Sequence, residues 1–244
     1  MNNGKHHALS AAILFLASFF PIGSLAAGDS IRLDFRAKQI SDNAPTGWEY
    51  RGKFGTKDAV FDIVRDAESG TRVLRMTADR ATGVVLFDME DIDLEKYPIM
   101  RWKWKVEVLP AGADARIKAK DDQGIAVYVG YGRLSQDSIS YTWQTETKKG
   151  KTGHSTYNHI VDVDWFTLRD KNDKMDTWFE EEVNVCDDMM KFFKKIPSGW
   201  ALSISSNSQY TASKADVYLD YIEFVEKKSA DAKKDEKKDE KKDK

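Results

Sequence analysis

Between residues 97 and 108 apolar and charged side chains alternate without a break. Met100, Trp102, Trp104, Val106 and Val108 hold one set of positions, and Arg101, Lys103, Lys105 and Glu107 hold the other. Successive side chains of a strand point to opposite faces, so this stretch offers a tryptophan face and a mostly basic face. The tryptophan face has to be core and the basic face wet, as in an antiparallel sheet packed on one side.

Further β-prone runs lie at 31–35, 59–64, 73–76, 83–87, 124–131, 139–144, 159–165, 178–185, 200–205 and 215–225, divided by turn residues such as Glu68, Ser69 and Gly70. Short strands at this spacing predict an all-β fold, an antiparallel β-sandwich of jelly-roll type. The runs at 124–131 and 139–144 are expected beside the tryptophan strand, and 215–225, which lacks a clean polar face, is expected to be covered on both sides. One short helix is predicted at 186–195. Asp187 and Asp188 suit the positive end of its dipole, Lys191, Lys194 and Lys195 its other end, and Pro197 stops it. The segment 145–158 has no apolar period and reads as a mobile loop.

Residues 1–26 carry Lys5, an apolar run from Ala8 to Phe20 and small residues up to Ala26, the layout of a cleaved export signal. The apolar run is too short to span a bilayer comfortably, and no later stretch could, so the mature form is expected to lack a transmembrane segment. A single domain is expected over 27–226, and the location is expected to be periplasmic or secreted. Cys186 is the only cysteine, which excludes an internal disulfide, and its apolar neighbours suggest a buried, inert thiol. Residues 227–244 hold nine Lys against six acids and nothing apolar after Ala232, the composition of a disordered charged tail. Of 38 basic and 40 acidic residues, that tail and the one Lys of the signal leave 28 against 34 between them. An acidic core of this kind argues against a nucleic-acid partner.

No residue pattern declares a reaction. The four His are His6, His7, His154 and His159, none in a zinc-type cluster. His154, Tyr157 and His159 could gather as proton-exchanging groups. Asp121 and Asp122 open a strand, where carboxylates can orient a hydroxyl-rich ligand. Asp34 on the first strand and Asp220 on the last form a second pair suited to a structural calcium, the one cofactor considered. Arg101, Lys103 and Lys105, set beside Tyr128, Thr142, Gln144 and Ser203 of neighbouring strands, would give cations, hydroxyls and an aromatic plate for a glycan or another hydroxyl-rich or anionic small ligand.

Tyr97-Pro98 with Arg101-Trp102-Lys103-Trp104, then Asp121-Asp122, Val127-Tyr128-Val129, Tyr141-Thr142-Trp143 and Tyr218-Leu219-Asp220-Tyr221-Ile222 occur in this order. In these landmarks the chain resembles, over roughly 34–224, the bacterial exported family known as domain of unknown function 3047. Where that family has an Asp-rich, Asn-containing strand exit, this sequence has Ser203 to Gln209, in which Asn207 and small hydroxyls are the matching residues. Asp34-Phe35, Gly47-Trp48 and Asp220 are also similar to galactose-binding-like jelly rolls, a group that includes carbohydrate-binding modules. That resemblance implies a glycan ligand. The expectation is an exported, non-catalytic carbohydrate-binding β-sandwich, with Arg101, Lys103, Lys105 and Tyr128 as contacts and Asp121 and Asp122 orienting. The alternatives are a lyase or hydrolase acting on an acidic glycan, and an envelope scaffold that binds protein.

Overall fold

The structure, a computed structural model, describes residues 30–132, 136–157 and 161–227. The expected export signal, most of the charged tail and His159 lie outside the described residues.

In chain order the strands are β1 (Ser30–Asp34), β2 (Ile40–Ser41), β3 (Ala44–Pro45), β4 (Glu49–Arg51), β5 (Lys57–Asp58) and β6 (Val60–Arg65). They continue as β7 (Arg72–Asp79), β8 (Ala81–Asp88), β9 (Ile99–Val108), β10 (Gln123–Tyr131) and β11 (Gln136–Trp143). The last are β12 (Thr152–Tyr157), β13 (Val161–Arg169), β14 (Phe179–Asn184), β15 (Ala201–Asn207) and β16 (Lys214–Val225). The first sheet is 6-stranded, in the order β14-β9-β16-β7-β6 with β1 also on β16. The second is 8-stranded, in the order β12-β13-β11-β10-β15-β8-β4 with β5 also on β8, and β2-β3 form a separate small hairpin. Pairing is antiparallel except for β11 with β13 and β5 with β8. The chain is therefore an antiparallel β-sandwich of jelly-roll type.

The alternation in β9 sorts its apolar side chains as the pattern predicts from Met100 to Val106, but Val108, expected in the core, is exposed at the strand end, and Lys105, expected wet, is buried. Met100, Trp102, Trp104 and Val106 are fully buried. They meet the second sheet face to face: Trp102 lies 5.5 Å from Tyr141 and Trp104 lies 5.8 Å from Trp143, ring centre to ring centre, while the two indoles stand edge to face at 5.4 Å. Aromatic pairs in this geometry are worth about 0.5–1.5 kcal/mol beyond their burial.

The neighbours of β9 differ from expectation. They are β14 and β16, whereas β10 and β11 belong to the opposite sheet. An apolar face shows that a strand needs a covering layer; it does not say whether another apolar strand lies beside it or across the core. In β16 the alternation is broken by a bulge, the register passing from Leu219↔Trp104 to Tyr221↔Lys103. The inward set accordingly changes from Ala215, Val217 and Leu219 to Ile222 and Phe224. That slip removes the clean polar face, and Tyr218, Asp220 and Tyr221 are themselves buried on the other side.

The helix, α1 (Val185–Phe192), begins on Asn184, whose side chain accepts from the Asp187 backbone N–H. It stops three residues earlier than expected, because Lys194 takes a left-handed conformation with φ 59°. The segment 145–158 is a larger correction. Most of its second half is β12, the edge strand paired with β13 from Thr152↔Phe166 to Tyr157↔Val161. An edge strand needs no apolar period, since β13 supplies the buried side of the pair. No helix among the described residues is long and apolar enough to cross a membrane.

Candidate ligand-binding site

The charged row of β9 is closed by ion pairs. Arg101 Nε lies 2.6 Å from Glu182 Oε2 on β14, and Lys103 Nζ lies 3.9 Å from Asp220 on β16. Lys105 is only 8% exposed, with Nζ at 3.0 Å from Asp176, 3.3 Å from Glu107 and 3.6 Å from Asp66. Tyr128, Thr142, Gln144 and Ser203 are not beside this row. They belong to β10, the β11 run and β15, on the outer face of the second sheet. The structure thus separates the residues that the sequence pattern grouped: Arg101, Lys103 and Lys105 on one outer face, Asp121 and Tyr128 on the other.

Asp122 is fully buried and serves the fold. Its carboxylate accepts from Tyr210 N at 3.1 Å and from Thr211 N and Oγ1 at 2.7 Å each, which ties the loop after β15 to the start of β10. Asp34 and Asp220 lie on paired strands, as expected, with cations beside them: Arg36 is 3.5 Å from Asp34, and Lys103 faces Asp220. Among the described residues no group of three or more His, Cys, Asp and Glu is placed to hold a metal ion. His154 lies on β12 with its ring nitrogens 3.2 Å from Asp164 and 3.4 Å from Asp162. Cys186 donates to the Leu94 carbonyl, and burial pushes its thiol up to about 11, which keeps it inert.

The outer face of the second sheet is built differently. Tyr128, Ser140 and Trp165 stand on adjacent strands in one row, and Ala126, Thr142 and Thr167 in the next. A cleft of about 480 Å³ opens toward the β12 edge, lined by Tyr157, Ser155 and Gly153 of that edge, by Trp165 of β13 and by Asp121. Arg116, Lys118 and Lys151 also line it. Gly153 is required here, because a Cβ at that position would overlap the Trp165 ring, which lies directly over the glycine. The loop carrying Arg116 and Lys118 is pinned to the 145–147 segment. Thr145 Oγ1 donates to Pro110 O at 2.6 Å, Thr147 Oγ1 donates to Asp114 at 3.0 Å, and Arg116 grips Asp114 through two bonds of 2.7 and 2.8 Å. That guanidinium holds the Asp114 carboxyl down at about 2.

Asp121 is 4% exposed, accepts from the Tyr157 hydroxyl on Oδ2 and from Gln123 Nε2 at 2.7 Å on Oδ1. Burial pushes its pKa up to about 6, against the pull of those two donors. Burial, reinforced by the Asp121 charge, also lifts the Tyr128 hydroxyl to about 12. Five of the nine buried side-chain polar atoms without a protein partner among the described residues belong to this outer-face set. They are Ser140 Oγ, both ends of the Gln144 amide, Trp165 Nε1 and Thr167 Oγ1. Each such group costs roughly 1–3 kcal/mol.

Sequence reasoning singled out Asp121, Tyr128 and Tyr157 but set Asp121 and Tyr128 with the β9 cations, and it did not name Trp165, Arg116, Lys118 or Lys151 as ligand contacts. The alternation of Trp165 with Phe166 was a usable signal, since it puts an aromatic on each face of β13. Nothing in the pattern shows that the 109–120 loop folds back over the sheet.

No curated protein matches the chain. Among solved structures, the family 11 carbohydrate-binding module of cellulosomal cellulase Lic26A-Cel5E of Clostridium thermocellum is similar at 10% identity and TM-score 0.46, over 83% of this chain and 97% of that one. The xylan-binding domain CBM22-1 of Paenibacillus barcinonensis Xyn10C is similar at 16% and 0.40, over 84% and 100%. A cellulase derived from Cel12A of Rhodothermus marinus is similar at 9% and 0.44, over 81% and 100%. At these scores the likenesses say nothing of what this chain binds. The family model described as Protein of unknown function (DUF3047) matches residues 47–223, which span the tryptophan strand, Asp121 and the whole cleft, and the chain belongs to that family.

Proposed function

We propose that the chain is a binding module for a glycan, seated in the cleft on the outer face of the second sheet. The observation that carries this reading is the lining of that cleft, where the Trp165 and Tyr157 rings stand with the hydroxyl groups of Thr152, Ser155 and Thr156. Hydroxyl-rich ligands offer donors and acceptors to such groups, while an aromatic wall accepts their C–H faces. The first sheet gives less support, because its cations already have carboxylate partners. The signal-like residues 1–26 favour an exported location, where polysaccharide is encountered.

A second reading, glycan cleavage, draws on one feature: burial pushes the Asp121 carboxyl up to about 6 beside a tyrosine hydroxyl. Two features weigh against it. Hydrolysis commonly needs a second carboxylate across the bond, and Asp121 is the one carboxylate that lines the cleft. Abstraction by Tyr157 would need a lowered pKa, whereas burial and Asp121 push that phenol well up.

The test is retention of the purified chain in affinity gels containing a panel of neutral and acidic glycans, with product release followed in parallel. Retention of at least one glycan, reduced in Tyr157→Phe and Asp121→Asn and unaccompanied by products, is expected. New reducing ends or unsaturated ends would favour the second reading, and retention indifferent to both substitutions would remove the cleft as the site.

A further inference from the structure

Resting on the cleft as a glycan site, we infer that its ligands are anionic glycans and that Lys118 and Lys151 are the residues that select them. Both lysines line the cleft. Among the described residues neither has a carboxylate within ion-pair distance, whereas the cations of β9, Arg101, Lys103 and Lys105, all do. Arg116, the third cation of the lining, is neutralised by Asp114. The lining acid, Asp121, is buried and occupied by Tyr157 and Gln123. The cleft therefore presents two free positive charges above a hydroxyl-rich floor, on a chain whose formal net charge is -2.

Local charge opposite to the molecular average marks the ligand's sign, because a cleft focuses the field of the groups that line it. Lysine is a compact point charge on a flexible stem, so it suits anionic groups that recur along a polymer and does not demand the planar geometry that an arginine fork reads. Carboxylate and sulfate groups share this chemistry, and the experiment separates them.

Full-length chain is run in gels containing polygalacturonate, dextran sulfate or neutral dextran, and its binding to duplex DNA is measured at the same ionic strength. Retention by at least one anionic glycan is expected, falling roughly tenfold or more in the Lys118→Ala/Lys151→Ala double variant and on raising salt. Which of the two gels responds identifies the anion. If a neutral glycan is retained instead, and its retention is lost in Tyr157→Phe while indifferent to the lysines, the glycan site stands and the charge selection is overturned. Anionic retention unchanged in the lysine variant, or equal affinity for DNA, likewise overturns the selection. If no gel retains the chain, both readings fall. The lysines are surface residues, and an unchanged unfolding midpoint in the double variant excludes misfolding as the cause of a loss.

Discussion

Asp121 is a carboxyl whose position works against its own ionisation. Its pKa in the folded chain, about 6, lies above the ordinary carboxylate value of 3.8 because burial outweighs the Tyr157 and Gln123 bonds. Between those two values the folded state holds a proton that the unfolded state has released, so stability falls as pH rises through the window from about 4 to about 6. A shift of that size corresponds to about 3 kcal/mol at most. Asp114 has the opposite sign: its pKa is held at about 2, and the stability it contributes is present above 3.8 and lost as pH falls toward 2. The measured curve is the sum of both kinds of group, which makes a comparison with a variant the informative experiment. In Asp121→Asn the decline between pH 4 and 6 should be shallower than in the parent chain, read from urea midpoints at half-unit steps. Parallel curves would mean that Asp121 titrates like a solvated acid and that the floor of the cleft is wet.

Among the elements, β9 divides its labour by face, and Lys105 is where the division is sharpest. Its amine sits among Asp66, Glu107 and Asp176, 4.5 Å from the Tyr218 ring centre. Replacing it by Ala leaves Asp66, itself 4% exposed, without its cation. Asp66 keeps its bonds from Ser69 and Trp178, so the cost should be near the low end for a broken buried pair, roughly 3 kcal/mol. Lys105→Ala is thus expected to lower the unfolding midpoint and leave glycan retention unchanged; lost retention at an unchanged midpoint would return the site to the first sheet. The same strand shows what alternation reveals and what it hides. Trp102 and Trp104 were readable as core because period two assigns faces. That Tyr128 sits on the far side of the molecule from Lys103 was not readable, because two sheets that cover each other have the same pattern. Tyr157 illustrates a second blind spot: β12 is an edge strand of small and polar residues around Gly153 and His154, held by pairing with β13 and invisible to any hydrophobic period. Among the polar residues of the site, Asp121 stood out only as half of a double acid, and its partner Asp122 proved to be a structural tie.

On the scale of the whole molecule, the last strand of the fold is the spine of the first sheet. β16 pairs with β9 along its length, with β7 through its first half and with β1 through its second, where Ser30 faces Val225. Folding of that sheet therefore waits for the C-terminal strand, and its contacts are among the longest in sequence that the chain makes. Non-local pairing of this kind places sandwiches in the slow range, milliseconds to seconds. The strand also carries Val217, Leu219, Ile222 and Phe224 into the core. At roughly 1.5–3 kcal/mol for each such side chain, their removal costs about as much as the 5–15 kcal/mol by which domains are stable at all. A chain ending at Ser213 should consequently show no cooperative urea transition by tryptophan fluorescence, even though all seven tryptophans remain. A chain ending at Lys227 retains all of β16 and should unfold at the same midpoint as the full length. If the shorter chain still unfolded cooperatively, the second sheet with its cleft would be an independent folding unit. If the longer one were destabilised, residues beyond Lys227 would have to contribute contacts of their own.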